Sequence, residues 1–148
     1  TGAVLVTTPQ DVALSDVEKA LNMFERMSVP ILGVVENMSA FICPDCGHEH
    51  DIFGSGGGDK IARELSLDVL GRIPLDPAVR TGGDGGVPIT SAQHPASDTS
   101  AAAAALREVA RTVAGRISVL AAPFAFGYLN EDSEVRPGPG TTNANLFR

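Results

Sequence analysis

Two short apolar runs separated by one amphipathic stretch constrain this chain more than any other feature. Ala3-Val4-Leu5-Val6 and Ile31-Leu32-Gly33-Val34-Val35 are unbroken by any polar residue and rich in branched side chains. A strand with one wet face alternates polar and apolar residues, so both runs read as strands covered on both sides. Between them Val17, Ala20, Leu21, Phe24 and Met27 recur at helical spacing and form one apolar face. Ser15-Asp16-Val17-Glu18 has the form of a capping box and predicts the helix start; Pro30 predicts its end. Strand, helix and strand with this burial make a β-α-β unit, which requires parallel strands and a right-handed crossover. The expected class is therefore α/β.

Thr7-Thr8-Pro9-Gln10 breaks the first strand, and residues 36–58 form a long excursion holding two cysteines and a glycine cluster. A helix is expected from Gly58 to Ser66, with Ile61, Ala62 and Leu65 on one side. Val69 to Ile73 reads as a third strand, stopped by Pro74. Residues 80–97 are rich in Gly, Pro, Ser and Asp and read as loop. From Asp98 to about Leu120 an Ala-rich segment carries the stripe Leu106, Val109, Val113 and Ile117, which predicts a long packing helix that Gly115 bends or ends. Beyond Pro123 there is no period and many breakers. The expected organisation is one domain over residues 1–120 and a disordered tail over 121–148.

The formal net charge of −7, with no run of Lys and Arg, argues against a nucleic-acid partner. No apolar stretch reaches the roughly 20 residues that cross a bilayer. TGAVLVTT has no basic n-region and does not read as a signal peptide. The two cysteines lie two residues apart, and a disulfide closing so small a loop adds little stability. Such usage suits a reducing compartment where the thiols serve metal or redox chemistry. It also argues against use of the sequon Asn37-Met38-Ser39.

Cys43-Pro44-Asp45-Cys46-Gly47 is the stretch with the most chemistry. Cysteines at i and i+3 of a tight turn aim both sulfurs at one point. Pro44 presets one dihedral, and Gly47 permits the left-handed backbone that turns amide hydrogens towards sulfur. Two thiolates are half of the usual four ligands of zinc or an iron–sulfur cluster. His48 and His50 could add nitrogen ligands, the thiols could be a redox pair, or a second subunit could bring its own pair. The histidines follow Cys46 too closely for classical zinc spacing and read as solvated loop residues. A thioredoxin-type pair opens a helix, whereas here Gly47 and a polar run follow. Two idle thiols in a loop are the bland alternative.

Gly54-Ser55-Gly56-Gly57-Gly58-Asp59-Lys60 is not a phosphate loop, because Asp59 precedes Lys60 and Ile61 follows it. It reads as a flexible entry to the next helix. Gly82-Gly83-Asp84-Gly85-Gly86 is likewise loop. A base site remains open, since ligands of parallel α/β sheets sit at the C-terminal ends of strands. Glu36 and Asn37 lie just past the second strand, and Pro74, Leu75 and Asp76 just past the third. Asn37 offers a donor and an acceptor, which suits a purine edge, and suits capping a turn equally well.

TTPQDVAL, ILGVVENMS, FICPDCG, IFGSGGG, IPLDPAVR and GGDGGVPI occur in this order. Together they resemble the C-terminal half of the Mrp/ApbC iron–sulfur cluster carrier ATPases, of the MinD-like deviant P-loop class, over about residues 1–115. The resemblance implies the C-terminal portion of a parallel-sheet P-loop NTPase-like fold with a CxxC loop insert. It implies a homodimer whose Cys43 and Cys46 pairs bridge a labile [4Fe–4S] cluster. That cluster would be delivered to apo iron–sulfur proteins, coupled to ATP and Mg2+ in the intact protein. Asn37 matches the family asparagine that contacts adenine, and the loop from Pro74 through Asp76 matches the segment lining the base.

The family's phosphate-binding loop and its metal-contacting acidic motif would precede Thr1. The chain is therefore expected to be part of a longer or split protein, and not to hydrolyse ATP by itself. A zinc-binding interaction module with a structural CPDC knuckle is the competing class. A MinD-like positioning ATPase without a cluster is weakened by the cysteines. The expected setting is cytoplasmic, with mitochondrion or plastid as the alternative.

Overall fold

The computed structural model describes residues 2–127, with side chains described through Leu120. In chain order the elements are β1 (Ala3–Thr7), α1 (Asp11–Arg26), β2 (Ile31–Ile42), β3 (Glu49–His50), α2 (Gly57–Glu64), β4 (Val69–Leu75), α3 (Pro77–Asp84) and α4 (Ala101–Gly127). β2 is the hub of the sheet. β1 pairs with it in parallel, Ala3 against Ile31 through Thr7 against Glu36. β4 pairs in parallel too, from Val34 against Val69. The short β3 runs antiparallel to the far end of β2, with Phe41 opposite His50 and Ile42 opposite Glu49.

Both faces of this sheet are covered, as the unbroken apolar runs require. On one side Leu5 and Val34 pack with Leu14 and Val17 of α1 and with Ile61 and Ala62 of α2. On the other, Leu32, Val35, Leu70 and Ile73 pack beneath α4, whose stripe of Leu106, Val109, Val113 and Ile117 lies where the helical spacing predicts it. Alternation slips at Gly33, so Leu32 and Val34 serve opposite layers. Gly33 has φ +147°, and a Cβ there would lie 2.6 Å from the Asp68 carbonyl, so only glycine fits this slip.

Several boundaries differ from expectation. The Ser15 capping box does not form: α1 begins at Asp11 behind Gln10, and Ser15 is inside the helix, its hydroxyl on the Asp11 carbonyl. The helix ends at Arg26, before Pro30, because Ser28 takes a left-handed φ of 53°. Met27, expected on the apolar face, is therefore 63% exposed. β2 runs seven residues beyond Val35, so Glu36 and Asn37 lie inside the strand rather than past it. Pro74 does not stop β4, which continues to Leu75. Proline has no N–H for a ladder, and the two strands fall out of register across it, with Asn37 opposite Ile73 and Phe41 opposite Leu75. The loop expected over 80–97 begins with the end of α3, whose start is set by the Asp76 carboxylate on the Ala78 amide and by Pro77 in the first turn. α4 passes Gly115 and continues to Gly127, and the rest of the expected tail lies outside the described residues.

Candidate functional site

The two cysteines sit at the tip of a hairpin formed by the end of β2 and β3. The Cys43 amide donates to the His48 carbonyl at 2.9 Å, and the Gly47 amide donates to the Cys43 carbonyl at 2.8 Å. Gly47 takes φ +70° in open space, the left-handed turn its identity predicted. Both thiols are free; Cys43 is half-buried and Cys46 exposed. The backbone N–H of Cys46, then that of Asp45, then the Cys46 side chain hydrogen-bond to Cys43 and hold its thiol below the usual thiol range.

His48 and His50 are exposed, and their rings meet edge to face at 4.8 Å between centroids. Phe41 lies beside His50 at 6.4 Å. Among the described residues no group of three or more His, Cys, Asp and Glu side chains could hold a metal ion. The hairpin thus carries both thiols at its tip, Cys46 exposed and Cys43 partly so, while its histidines pack on one another. That donor set fits one half of a four-thiolate sphere.

The hairpin is rooted in β2 by two features that sequence reasoning missed. Glu36 is only 1% exposed, and its carboxylate accepts the Gly58 amide at the start of α2 at 2.5 Å. Arg72 Nε lies 3.8 Å from the other carboxylate oxygen, and Arg72 also binds Asp59 at 2.5 Å. The only signal was a glutamate embedded in an apolar strand, where a charge needs partners. Second, Met38 holds φ +56°, a region bulky side chains avoid, and its amide donates to Asn37 Oδ1 at 3.0 Å. Asn37 therefore makes a turn-like local contact within the strand.

The residues expected at a base do not share one cavity. Asn37 lines a cleft of about 390 Å3 between β1 and α1, with Thr7, Thr8, Val17 and Phe24 on its walls. Pro74 and Asp76 line another of about 300 Å3, beside Phe41, Pro44 and Ser100. Both carboxylate oxygens of Asp76 are engaged: Oδ1 accepts the Ala78 amide at 2.8 Å, and Oδ2 accepts the Ser100 hydroxyl at 2.6 Å. Asp76 thereby ties the start of α3 to that of α4.

Residues 1–114 match the family model described as ParA, NUBPL iron-transfer P-loop NTPase. An iron-sulfur cluster carrier protein of Deinococcus radiodurans is 58% identical over 119 residues, covering 80% of this chain and 32% of that one. The iron-sulfur cluster transfer protein NUBPL of Mus musculus is 50% identical over 101 residues, covering 68% of this chain and 31% of its own. The chain thus spans about a third of the length of these curated relatives. Among solved structures, a nucleotide-binding protein from Archaeoglobus fulgidus in complex with ADP is 40% identical, with a TM-score of 0.51 over 57% of this chain and 35% of that one. The cell division ATPase MinD of Pyrococcus furiosus is 26% identical, with a TM-score of 0.57 over 77% of this chain and 42% of its own. By the match over residues 1–114, on a MinD-like α/β sheet, this chain belongs to the NUBPL iron-transfer P-loop NTPase family.

Proposed function

We propose that this chain supplies the cluster-holding part of an iron–sulfur cluster carrier, with Cys43 and Cys46 as the ligands. The observation that carries the reading is the pair of free thiols on one tight turn, beside which no third ligand is gathered among the described residues. Four thiolates then come from two copies, making the working unit a homodimer around a shared [4Fe–4S] cargo. The N–H groups aimed at Cys43 favour its thiolate, the form that binds metal. Recipients are apo iron–sulfur proteins, in keeping with the names of the relatives.

Nucleotide enters through the intact protein. Asn37 Oδ1 is occupied by Met38, so its amide N–H groups are what it has to offer a purine. The segment Pro74 to Asp76 lines a cavity apart from that of Asn37 and, with the Asp76 carboxylate committed to Ala78 and Ser100, would offer a base only a wall. The ADP complex of the Archaeoglobus fulgidus neighbour supports nucleotide binding, and ATP with Mg2+ is the expected form. Bacterial relatives such as those of Deinococcus and Synechocystis support a cytoplasmic setting. Among the described residues no helix is long and apolar enough to cross a membrane.

Anaerobic reconstitution with iron and sulfide tests the assignment. The expected result is a brown dimer with broad absorbance near about 400 nm, lost in Cys43→Ser and Cys46→Ser. A colourless protein holding stoichiometric zinc through the same thiols would overturn it in favour of a structural knuckle.

A further inference from the structure

The cysteine hairpin leaves the sheet through an irregular stretch of β2 and returns through glycines. On the way out Met38 is left-handed, and β2 accommodates Met38 to Ala40 opposite the single residue Pro74. On the way back Gly54 and Gly56 hold φ +84° and +74° in open space. The next two glycines are fixed: a Cβ on Gly57 would lie 2.5 Å from the Pro9 carbonyl, and one on Gly58 2.8 Å from Glu36. The hairpin is thus an arm rooted at Glu36 and Gly58, with one positive-φ residue on its outward side, Met38, and two on its return, Gly54 and Gly56. Gly54 and Gly56 adopt positive φ at no steric cost, whereas Met38 does so against its side chain. Beside this outlier, the Met38 amide donates to Asn37 Oδ1 at 3.0 Å.

We propose that Asn37 is a positioning residue for the cysteine pair: by holding Met38 left-handed, it sets the direction in which the arm carries Cys43 and Cys46. This deepens the carrier reading and rests on it for its functional meaning. The arm's internal turn is local and survives a change of direction. The meeting of two arms does not, because only the fraction of chains whose arms point correctly can share one metal. A group in the adjoining cleft that competes for Asn37 Oδ1 itself, and not for its N–H groups, would release Met38 and re-aim the arm.

The test uses the 148-residue chain, its Asn37→Ala, Asn37→Asp and Met38→Gly variants, and the Asn37→Ala/Met38→Gly double variant. Amide hydrogen exchange is the readout that needs no metal. Asn37→Ala is expected to speed exchange about tenfold at Phe41, which faces Leu75 of β4, while leaving Val34 and Cys43, whose amide is bonded inside the turn, unchanged, the equivalent of about 1.4 kcal/mol of local opening. Asn37→Asp keeps the acceptor and is expected to behave as the parent. Adding Met38→Gly to Asn37→Ala is expected to restore most of the protection, because glycine needs no help at positive φ. Cobalt(II) alone is the second probe. Formation of a two-chain thiolate complex is expected to weaken about tenfold in Asn37→Ala and to recover in the double variant. Unchanged exchange in Asn37→Ala, or no recovery with glycine, overturns the proposal. Normal exchange effects without any cobalt complex in the parent instead overturn the carrier reading and leave Asn37 in its positioning role.

Discussion

The Glu36 carboxylate and the Gly58 amide, 22 residues apart in sequence, meet at 2.5 Å in the buried space between β2 and α2. A carboxylate at a helix N-terminus satisfies one free backbone donor and complements the helix dipole. Removing it leaves that donor and the nearby Arg72 short of a partner. Glu36→Ala is expected to lower stability by about 2–3 kcal/mol in urea unfolding, and Glu36→Gln by less, because the amide oxygen still accepts. A wild-type midpoint for Glu36→Ala would show that the contact contributes nothing net.

Glycines of one composition differ sharply in what they tolerate. Gly57→Ala forces a Cβ against the Pro9 backbone, which has no flexible end to yield, and is expected to cost about 1–3 kcal/mol. Gly83 lies within α3 with nothing near its Cβ position, so Gly83→Ala is expected to stabilise by about 0.5–1 kcal/mol. Thermal unfolding of the pair checks both signs at once.

Asp76 serves two helices at once. Asp76→Ala removes the cap of α3 and the hydroxyl contact of Ser100, and is expected to cost about 1–2 kcal/mol. In a double-mutant cycle Asp76→Ala and Ser100→Ala are expected to couple by about 0.5–1.5 kcal/mol. Additive losses would argue that the two groups do not act as one tie.

Cys43 alkylation should report its amide environment. The thiolate is the reactive form, so the rate rises with pH and levels off above the thiol's pKa. Because the N–H groups of Cys46 and Asp45 favour the thiolate, the midpoint in Cys46→Ser, which keeps both backbone donors, is expected below that of a free thiol. Iodoacetamide labelling across neutral to alkaline pH, read by mass, measures it. A midpoint at or above the free-thiol value would mean that the turn does not hold those donors on sulfur.

Much of the architecture was readable because burial on both sides leaves unbroken apolar runs. β1, the start of β2, β4 and the α4 stripe all follow from that pattern. Local signals misled where two patterns overlapped. Ser15 and Glu18 satisfy a capping box, yet the chain already turns at Gln10, and tertiary packing of Leu14 draws the helix back to Asp11. α3 hid among glycines, although Asp76-Pro77 carries a cap and a first-turn proline. In the site, the cysteine turn was legible because its geometry lies within five residues. The Glu36 contact with Gly58 was not, since no short-range spacing encodes an anchor 22 residues away. Asn37 was noted for a purine; its contact with the Met38 amide accompanies a backbone outlier that composition does not reveal.

The open space around Gly47, at the far end of the hairpin, has a consequence for traffic. Sulfurs at an outlying tip can be approached by an incoming thiol without loosening a single core residue. If the cysteine pair holds a cluster as proposed, release by ligand-for-ligand substitution would need no melting step, and its speed would be governed by encounter and by sulfur chemistry instead of by the stability of the body behind it.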